Sequence, residues 1–316
     1  MKPILSANDL SSRLGIPLAR LCEIADDIKP HYKLTALPDK KDKTKIRMLR
    51  VPAYELKDIQ KRIKNNVLDR IALDDCVHGG VRDRSPRTNA TDHLGQRCVV
   101  NLDVKKFFPK IRHYVVYRMF QQELGCGRDV ARLLTRLTTY GGQVPQGAPT
   151  STAIANVLLS VPVDGPVTKR AKASNVRYTR FVDDVTFSGS NPRPLINLVG
   201  RMLSKRRLQM YRPKRKWSSK PKFQIAPRSA PQEVTGLLVN SQTSPSVSRQ
   251  RRDKVRAAIF ALRRSIDDGD AEKVVRSIRG QILHVRQFNP GSAKRLQRGL
   301  ESALSKVLRA PPKSDT

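Results

Sequence analysis

The sequence predicts an α+β fold, and three observations carry the prediction. Apolar residues recur at three- and four-residue steps near the start (Leu10, Leu14, Leu18, Leu21, Ile24) and again from Ser248 onward. Between these helical ends, residues 99–104 form an apolar run, and residues 176–188 alternate around a turn that contains Asp183-Asp184. Hydrophobic residues make up 38% of the 316, lean for a globular protein yet enough for a core.

Taken in order, residues 1–30 are expected to be helical. Tyr32 to Thr35 and Ile46 to Pro52 flank a Lys-rich turn and predict a hairpin. Leu56, Ile59, Ile63, Val67 and Leu68 predict a long amphipathic helix. His78-Gly79-Gly80-Val81 and Ser85-Pro86 are loop chemistry. After the strand at 99–104, residues 114–140 are predicted mostly helical, interrupted at Gly125-Cys126-Gly127. Residues 141–149 are a loop leading to an apolar helix at 153–159. Residues 234–240 predict one short strand, Gly280 and Pro290-Gly291 are expected to break the C-terminal helices, and residues 310–316 predict a disordered tail.

Composition narrows the partners. Sixty-two Lys and Arg against 27 Asp and Glu give a net charge of +35. Self-repulsion on that scale favours a polyanion, nucleic acid first and an anionic membrane surface second. No apolar stretch reaches a membrane span and the start is not a signal peptide, so a cytoplasmic location without membrane is expected. Cys22, Cys76, Cys98 and Cys126 lie far apart with no CxxC pair and predict reduced thiols. From Arg201 to Lys222 there are ten basic residues and no acid. From Arg249 to Arg264 there are seven basic residues against Asp253 alone, and Arg249, Arg252 and Arg256 share one helix face. Such a face suits a phosphate backbone, which it positions without reading sequence.

Acids in apolar strands stand out in so basic a chain. Asp103 ends one strand, and Asp183 and Asp184 lie between Phe181-Val182 and Val185 in a hairpin. Adjacent carboxylates about 4 Å apart at an effective dielectric near 20 repel by roughly 4 kcal/mol. A divalent cation between them would offset that cost, and hard oxygen ligands suit Mg²⁺. Taken alone, the pair reads first as ordinary turn chemistry.

The neighbours of these acids carry a resemblance. Tyr178-Thr179-Arg180-Phe181-Val182-Asp183-Asp184-Val185-Thr186-Phe187 resembles the aromatic-x-Asp-Asp block of reverse transcriptases. Asn101-Leu102-Asp103-Val104-Lys105-Lys106-Phe107-Phe108-Pro109 resembles their first carboxylate block. Val144-Pro145-Gln146-Gly147-Ala148-Pro149-Thr150-Ser151 with Asn156 resembles their Pro-Gln-Gly loop and following helix. The blocks come in the family's order, with Asp103 and Asp183 80 residues apart. Asn89-Ala90-Thr91-Asp92-His93 and Val234-Thr235-Gly236-Leu237 with Asn240 are similar to signatures of the bacterial retron enzymes. Two positions depart from the pattern. Val182 stands where the family usually has Ala, and Tyr211-Arg212-Pro213-Lys214 replaces the later Asn-x-x-Lys block, leaving Lys214 without an assigned role.

The resemblance implies a right-hand polymerase. N-terminal helices and fingers would occupy 1–97, palm 98–112, fingers 113–144, palm 145–240, and helical thumb with tail 241–316. It implies two Mg²⁺ ions held by Asp103, Asp183, Asp184 and the Val104 carbonyl. Lys45 and Arg47 would clamp the triphosphate, while Phe108 would exclude a ribose 2′-OH, with Gln146 and Gly147 beside the nucleotide. Val234, Thr235 and Gly236 would grip the primer end, and Arg249, Arg252 and Arg256 would lie on the duplex. Asn89 and His93 are read either as RNA contacts or as satisfied structural polar groups. The implied activity is RNA-directed DNA synthesis from deoxynucleoside triphosphates on a cognate structured noncoding RNA. Priming from an RNA 2′-OH would leave an RNA–DNA hybrid, in antiphage defence beside an effector protein. The rival readings are another bacterial reverse transcriptase (group II intron-like, diversity-generating or otherwise defence-associated), or a non-catalytic RNA-binding protein on a polymerase scaffold.

Overall fold

The computed structural model describes residues 2–38, 46–211, 223–262 and 271–309. Lys45, Lys214 and the tail 310–316 lie outside the described residues, as does the side chain of Arg47.

The N-terminal periodicity resolves into two helices, α1 (Ala7–Leu14) and α2 (Leu18–Asp26), not one stretch. Gly15 at φ 61 caps α1, its N–H closing on Ser11 and Ser12, and Pro17 fixes the extended residue before α2. Strands β1 (Tyr32–Pro38) and β2 (Ile46–Pro52) form the expected antiparallel hairpin, and α3 (Tyr54–Asn66) packs its apolar stripe inward. Helix α4 (Pro86–Thr91) starts with a capping box between Ser85 and Thr88. Strand β3 (Cys98–Asp103) leads through α5 (Phe107–Lys110), α6 (His113–Arg118) and α7 (Arg128–Thr138) to α8 (Ser151–Leu159). A π-helical turn at Ser160–Asp164 joins α8 to α9 (Gly165–Ala173). Then come β4 (Arg177–Phe181), β5 (Asp184–Gly189), α10 (Pro194–Lys205) and β6 (Phe223–Pro227).

Three expectations need correction. The hairpin turn is Val182-Asp183, so Asp184 already belongs to β5. The strand expected at 234–240 is a tight hairpin, β7 (Glu233–Val234) and β8 (Leu237–Leu238). Its two-residue turn, Thr235 at φ 47 and Gly236 at φ 85, has the positive dihedrals of a type I′ turn. At the C-terminal end α11 (Arg249–Leu262), α12 (Ala271–Phe288) and α13 (Pro290–Arg309) pack together. Gly280 sits inside α12 and does not break it. The roughly 1 kcal/mol penalty of a helical glycine is offset by burial of Ile278, Ile282 and Val285 on the same helix. Pro290, by contrast, opens α13, where its missing N–H costs nothing.

One four-stranded antiparallel sheet, in the order β4-β5-β3-β6, organises the middle of the chain. Pleating sends alternate side chains to opposite faces. Val100 and Leu102 of β3, Val185 and Phe187 of β5, and Tyr178 of β4 enter the larger core. Val99, Asn101 and Asp103 point the other way, and Val99 joins a second core with Ala90, Val234, Leu237 and the C-terminal helices. The sheet therefore separates two cores, and its polar face turns toward the β7–β8 hairpin. The Asn101 amide donates to the Glu233 carbonyl at 2.8 Å and ties the two together. Among the described residues, no helix is long and apolar enough to cross a membrane.

His93 belongs to this framework, not to a nucleic-acid surface. Its ring is fully buried, with Nδ1 2.6 Å from Ser188 Oγ and Nε2 2.7 Å from Thr179 Oγ1. Burial lowers its pKa from 6.5 to about 3, against a smaller upward pull from Asp92. Between those values the unfolded chain binds a proton that the folded chain refuses. This group thus removes stability as pH falls below 6.5, by up to about 1.4 kcal/mol per pH unit. Urea unfolding at pH 7 and pH 5 should show a larger loss for the wild type than for His93→Gln; equal losses would assign the acid sensitivity elsewhere.

Candidate active site

The three aspartates meet through strand register. Asp103, last in β3, stands directly opposite Asp184, first in β5. Opposed residues of an antiparallel pair lie about 4.5–5.5 Å apart at Cα with side chains on the same face. The Val104 N–H donates to the Asp183 carbonyl at 3.2 Å and fixes the third acid beside them. Asp103 is nearly buried at 9% exposure, Asp183 is half-buried and Asp184 is exposed. The group thus lies at the open edge of the sheet's polar face. Among the described residues, no three His, Cys, Asp or Glu side chains are already gathered into a metal-holding cluster. Carboxylates brought to about 4 Å repel by roughly 4 kcal/mol at an effective dielectric near 20 unless a cation lies between them. The donor chemistry, hard carboxylate oxygens reached from one open side, fits Mg²⁺, which keeps waters and substrate phosphates in its shell.

The turn that presents these acids is strained. In a two-residue hairpin loop with positive φ only at its first position, glycine is the usual occupant. Val182 holds φ 61 there. A β-branched residue in this region costs on the order of 1–3 kcal/mol unless its surroundings hold it. Gly79 lies against the turn: a Cβ at this position would stand 2.5 Å from the Val182 nitrogen and 2.6 Å from its Cγ2. The Asn156 amide donates to the Gly79 carbonyl at 2.8 Å.

Beneath the turn, on the core face of β4, lies Arg180, 1% exposed. Its Nε and Nη2 form a fork on Asp164 at 2.9 and 2.6 Å, and Nη1 donates to Asn156 Oδ1 at 2.9 Å and to the Val182 carbonyl at 3.0 Å. The Tyr178 hydroxyl donates to the same carboxylate at 2.6 Å. Burial, the largest influence, would by itself lower the Arg180 pKa; the Asp164 charge and its hydrogen bonds, with smaller help from Tyr178 and Cys76, together raise it above the ordinary value. Removing one partner from such a pair costs about 3–5 kcal/mol, because the other charge stays buried.

The remaining predicted residues fall into three places. The first is the junction of β2 with the Pro-Gln-Gly loop, where the Arg50 N–H donates to the Gln146 carbonyl at 2.9 Å. Gly147, at φ 114, allows this approach, since a Cβ there would sit 3.4 Å from the Arg50 carbonyl. Arg47 lies on β2, opposite Leu37. Phe108 lies just beyond the acids in α5, half-buried and 5.3 Å from the Phe107 ring. The second place is the β7–β8 hairpin. There Val234 is fully buried, and Thr235 Oγ1 donates to the Pro86 carbonyl at 3.0 Å. Asn89 is buried in α4, so its side chain is not presented to solvent.

The third place is a groove of about 420 Å³ between α11 and α13, lined by Arg249, Arg252, Arg256, Phe260, Arg295 and Gly299. Arg256 pairs with Asp253 at 2.6 Å, Arg249 approaches the same carboxylate at 3.7 Å, and Arg252 donates to Ser292 Oγ at 2.8 Å. Residues with a part in the site that the sequence reading gave no role are Gly79, Asn156, Asp164 and Arg180. One signal was present: Arg180 has the parity of Tyr178, which marks a charge on the apolar face of a strand. Gly79→Ala should lower the thermal midpoint and destabilise the fold by about 1–3 kcal/mol, because the added methyl meets backbone. An unchanged midpoint would mean that the turn does not rest on this glycine.

Comparison with known proteins identifies the family. Residues 38–225 match the reverse transcriptase (RNA-dependent DNA polymerase) family. The retron Mx65 reverse transcriptase of Myxococcus xanthus is 32% identical over 85% of this chain and 64% of its own length. The chain thus spans under two thirds of that relative. The retron Se72 reverse transcriptase of Salmonella heidelberg is 30% identical over 83% of this chain and 69% of its own. The retron Ec86 reverse transcriptase of Escherichia coli is 27% identical, covering 80% and 76%. Among solved structures, a Candida albicans telomerase in complex with a telomeric RNA fragment aligns over 90% of this chain and 57% of that chain, at a TM-score of 0.46 and 11% identity. With its two aspartate blocks brought to one sheet edge and the family match spanning more than half its length, the chain belongs to the reverse transcriptases, and within them to the retron type.

Proposed function

We propose that the chain copies part of its own structured noncoding RNA into DNA from deoxynucleoside triphosphates, primed from an RNA 2′-OH, as the polymerase of a retron acting in antiphage defence beside an effector protein. The observation that carries this reading is the opposition of Asp103 and Asp184 at the open end of β3 and β5, with Asp183 tied alongside. Asp103, Asp183, Asp184 and the Val104 carbonyl would hold two Mg²⁺ ions. When bound, these ions activate the attacking hydroxyl and offset charge on the leaving pyrophosphate.

The chain's own residues supply position. In this reading β1–β2 is the fingers hairpin, and Lys45 and Arg47 clamp the triphosphate. The bond between the Arg50 N–H and the Gln146 carbonyl sets that hairpin against the Pro-Gln-Gly loop, where Gln146 and Gly147 line the nucleotide site. On the same reading the Phe108 ring would meet the sugar. The β7–β8 turn offers its backbone to the primer end, since Val234 itself is buried. Arg249, Arg252 and Arg256 edge a basic groove of a helical thumb that lies on the duplex.

Asp183→Asn should reduce Mg²⁺-dependent DNA synthesis by on the order of 10²–10³-fold or more while leaving RNA affinity nearly unchanged in a filter-binding assay. Equal synthesis by mutant and wild type would refute the catalytic assignment. Phe108→Ala should admit ribonucleotides in a primer-extension competition; unaltered sugar discrimination would remove the ring from that role.

A further inference from the structure

We propose that Arg180, locked by Asp164 and Asn156, is a positioning residue that holds the Val182-Asp183 turn in its strained conformation. Through that turn it sets the spacing of Asp183 and Asp184 from Asp103. The inference deepens the polymerase reading and rests on it for its catalytic consequence.

Two arms converge on residue 182. From below, Arg180 Nη1 donates to the Val182 carbonyl at 3.0 Å. From the side, Gly79 lies against the Val182 nitrogen and Cγ2, and its carbonyl is held by Asn156 at 2.8 Å. Asn156 belongs to both arms, because its Oδ1 accepts from the same Nη1 at 2.9 Å. The guanidinium has no freedom to drift, since its other edge is forked on Asp164, fully buried in the π-helical turn after α8. Backbone bonds lock β4 from its outer edge too: the Arg180 N–H donates to the Cys76 carbonyl at 2.7 Å, and the His78 N–H to the Arg180 carbonyl at 2.8 Å.

A buried ion pair is a costly way to fill a core and is often replaceable by apolar side chains. What apolar side chains lack is a planar donor fork that reaches a carboxylate, an amide and a carbonyl at once. The demand for that fork arises one turn away. Val182 has to keep a positive φ, and the adjoining acids repel each other whenever no cation lies between them. A turn without the clamp would relax, and each cation bound would first have to restore it.

The experiment uses the full chain with Asn156→Ala, which removes the Asn156 bond supporting each arm but leaves the ion pair, and Arg180→Lys, which keeps the charge but loses the fork. Hydrogen exchange of the segment 180–186, measured without metal or nucleic acid, should quicken at least tenfold in both. The Mg²⁺ concentration for half-maximal synthesis should rise at least fivefold, with RNA affinity within twofold of wild type. Adding Val182→Gly, for which positive φ carries no strain, should return at least half the synthesis rate lost in Asn156→Ala. A folded variant with unchanged exchange and Mg²⁺ midpoint overturns the clamp, as does failure of Val182→Gly to recover activity. If Asn156→Ala does not fold, Arg180→Lys answers the exchange question alone. Because exchange is read on the metal-free protein, it judges the clamp even in a chain that makes no DNA. Synthesis by Asp183→Asn judges the polymerase reading separately.

Discussion

Two carboxylates face each other across the last rung of an antiparallel ladder, and a third hangs from the turn that closes the neighbouring hairpin. Like charges at such a rung oppose the strand pairing that brings them together. The surroundings answer with rigidity. On the core face the sheet is filled by Val100, Leu102, Val185 and Phe187, so the register cannot slip by one residue without burying an aspartate and exposing the core. On the other face, Asn101 bonds Thr186 and the Glu233 carbonyl, while His93 bonds Thr179 and Ser188. Hydrophobic burial sets the ladder, and short polar contacts keep the acids at its open end.

Charge works on two scales. Over the whole chain the surplus of 35 positive charges creates a field that attracts a polyanion wherever it lands. Locally, cations and acids are sorted by depth. Asp164 and Arg180 neutralise one another inside the core, whereas the arginines of the α11–α13 groove stay at the surface around a single acid, Asp253. The first arrangement reaches backbone through the Arg180 bond to the Val182 carbonyl; the second, on the proposed reading, turns charge toward phosphates. The same residue type therefore stands in opposite surroundings, and burial separates the two.

Much of the architecture could be read from local pattern. The hairpin at 32–52, the helix at 54–66, the strand ending on Asp103 and the alternating hairpin before Asp184 followed from periodicity of two or 3.6 residues. Errors came where single residues act through their surroundings. Gly280 reads as a breaker, yet burial on either side carries the helix through it. Thr235-Gly236 reads as strand interior, yet both adopt positive φ and reverse the chain. His93 reads equally well as a contact or a core residue, because spacing is silent about depth.

Residue order alone carries the family: three short blocks in a set order, two of them bearing acids in apolar strands of a strongly basic chain. Residue type and spacing survive in one dimension, so that much is legible without coordinates. Packing in three dimensions sets Asp103 opposite Asp184, holds Val182 against its own preference, and lets Asp164 and Asn156 fix the Arg180 side chain that reaches the Val182 carbonyl. Those relations join segments far apart along the chain. They arise when burying apolar surface forces strands and helices into one packing, and no local pattern encodes that outcome.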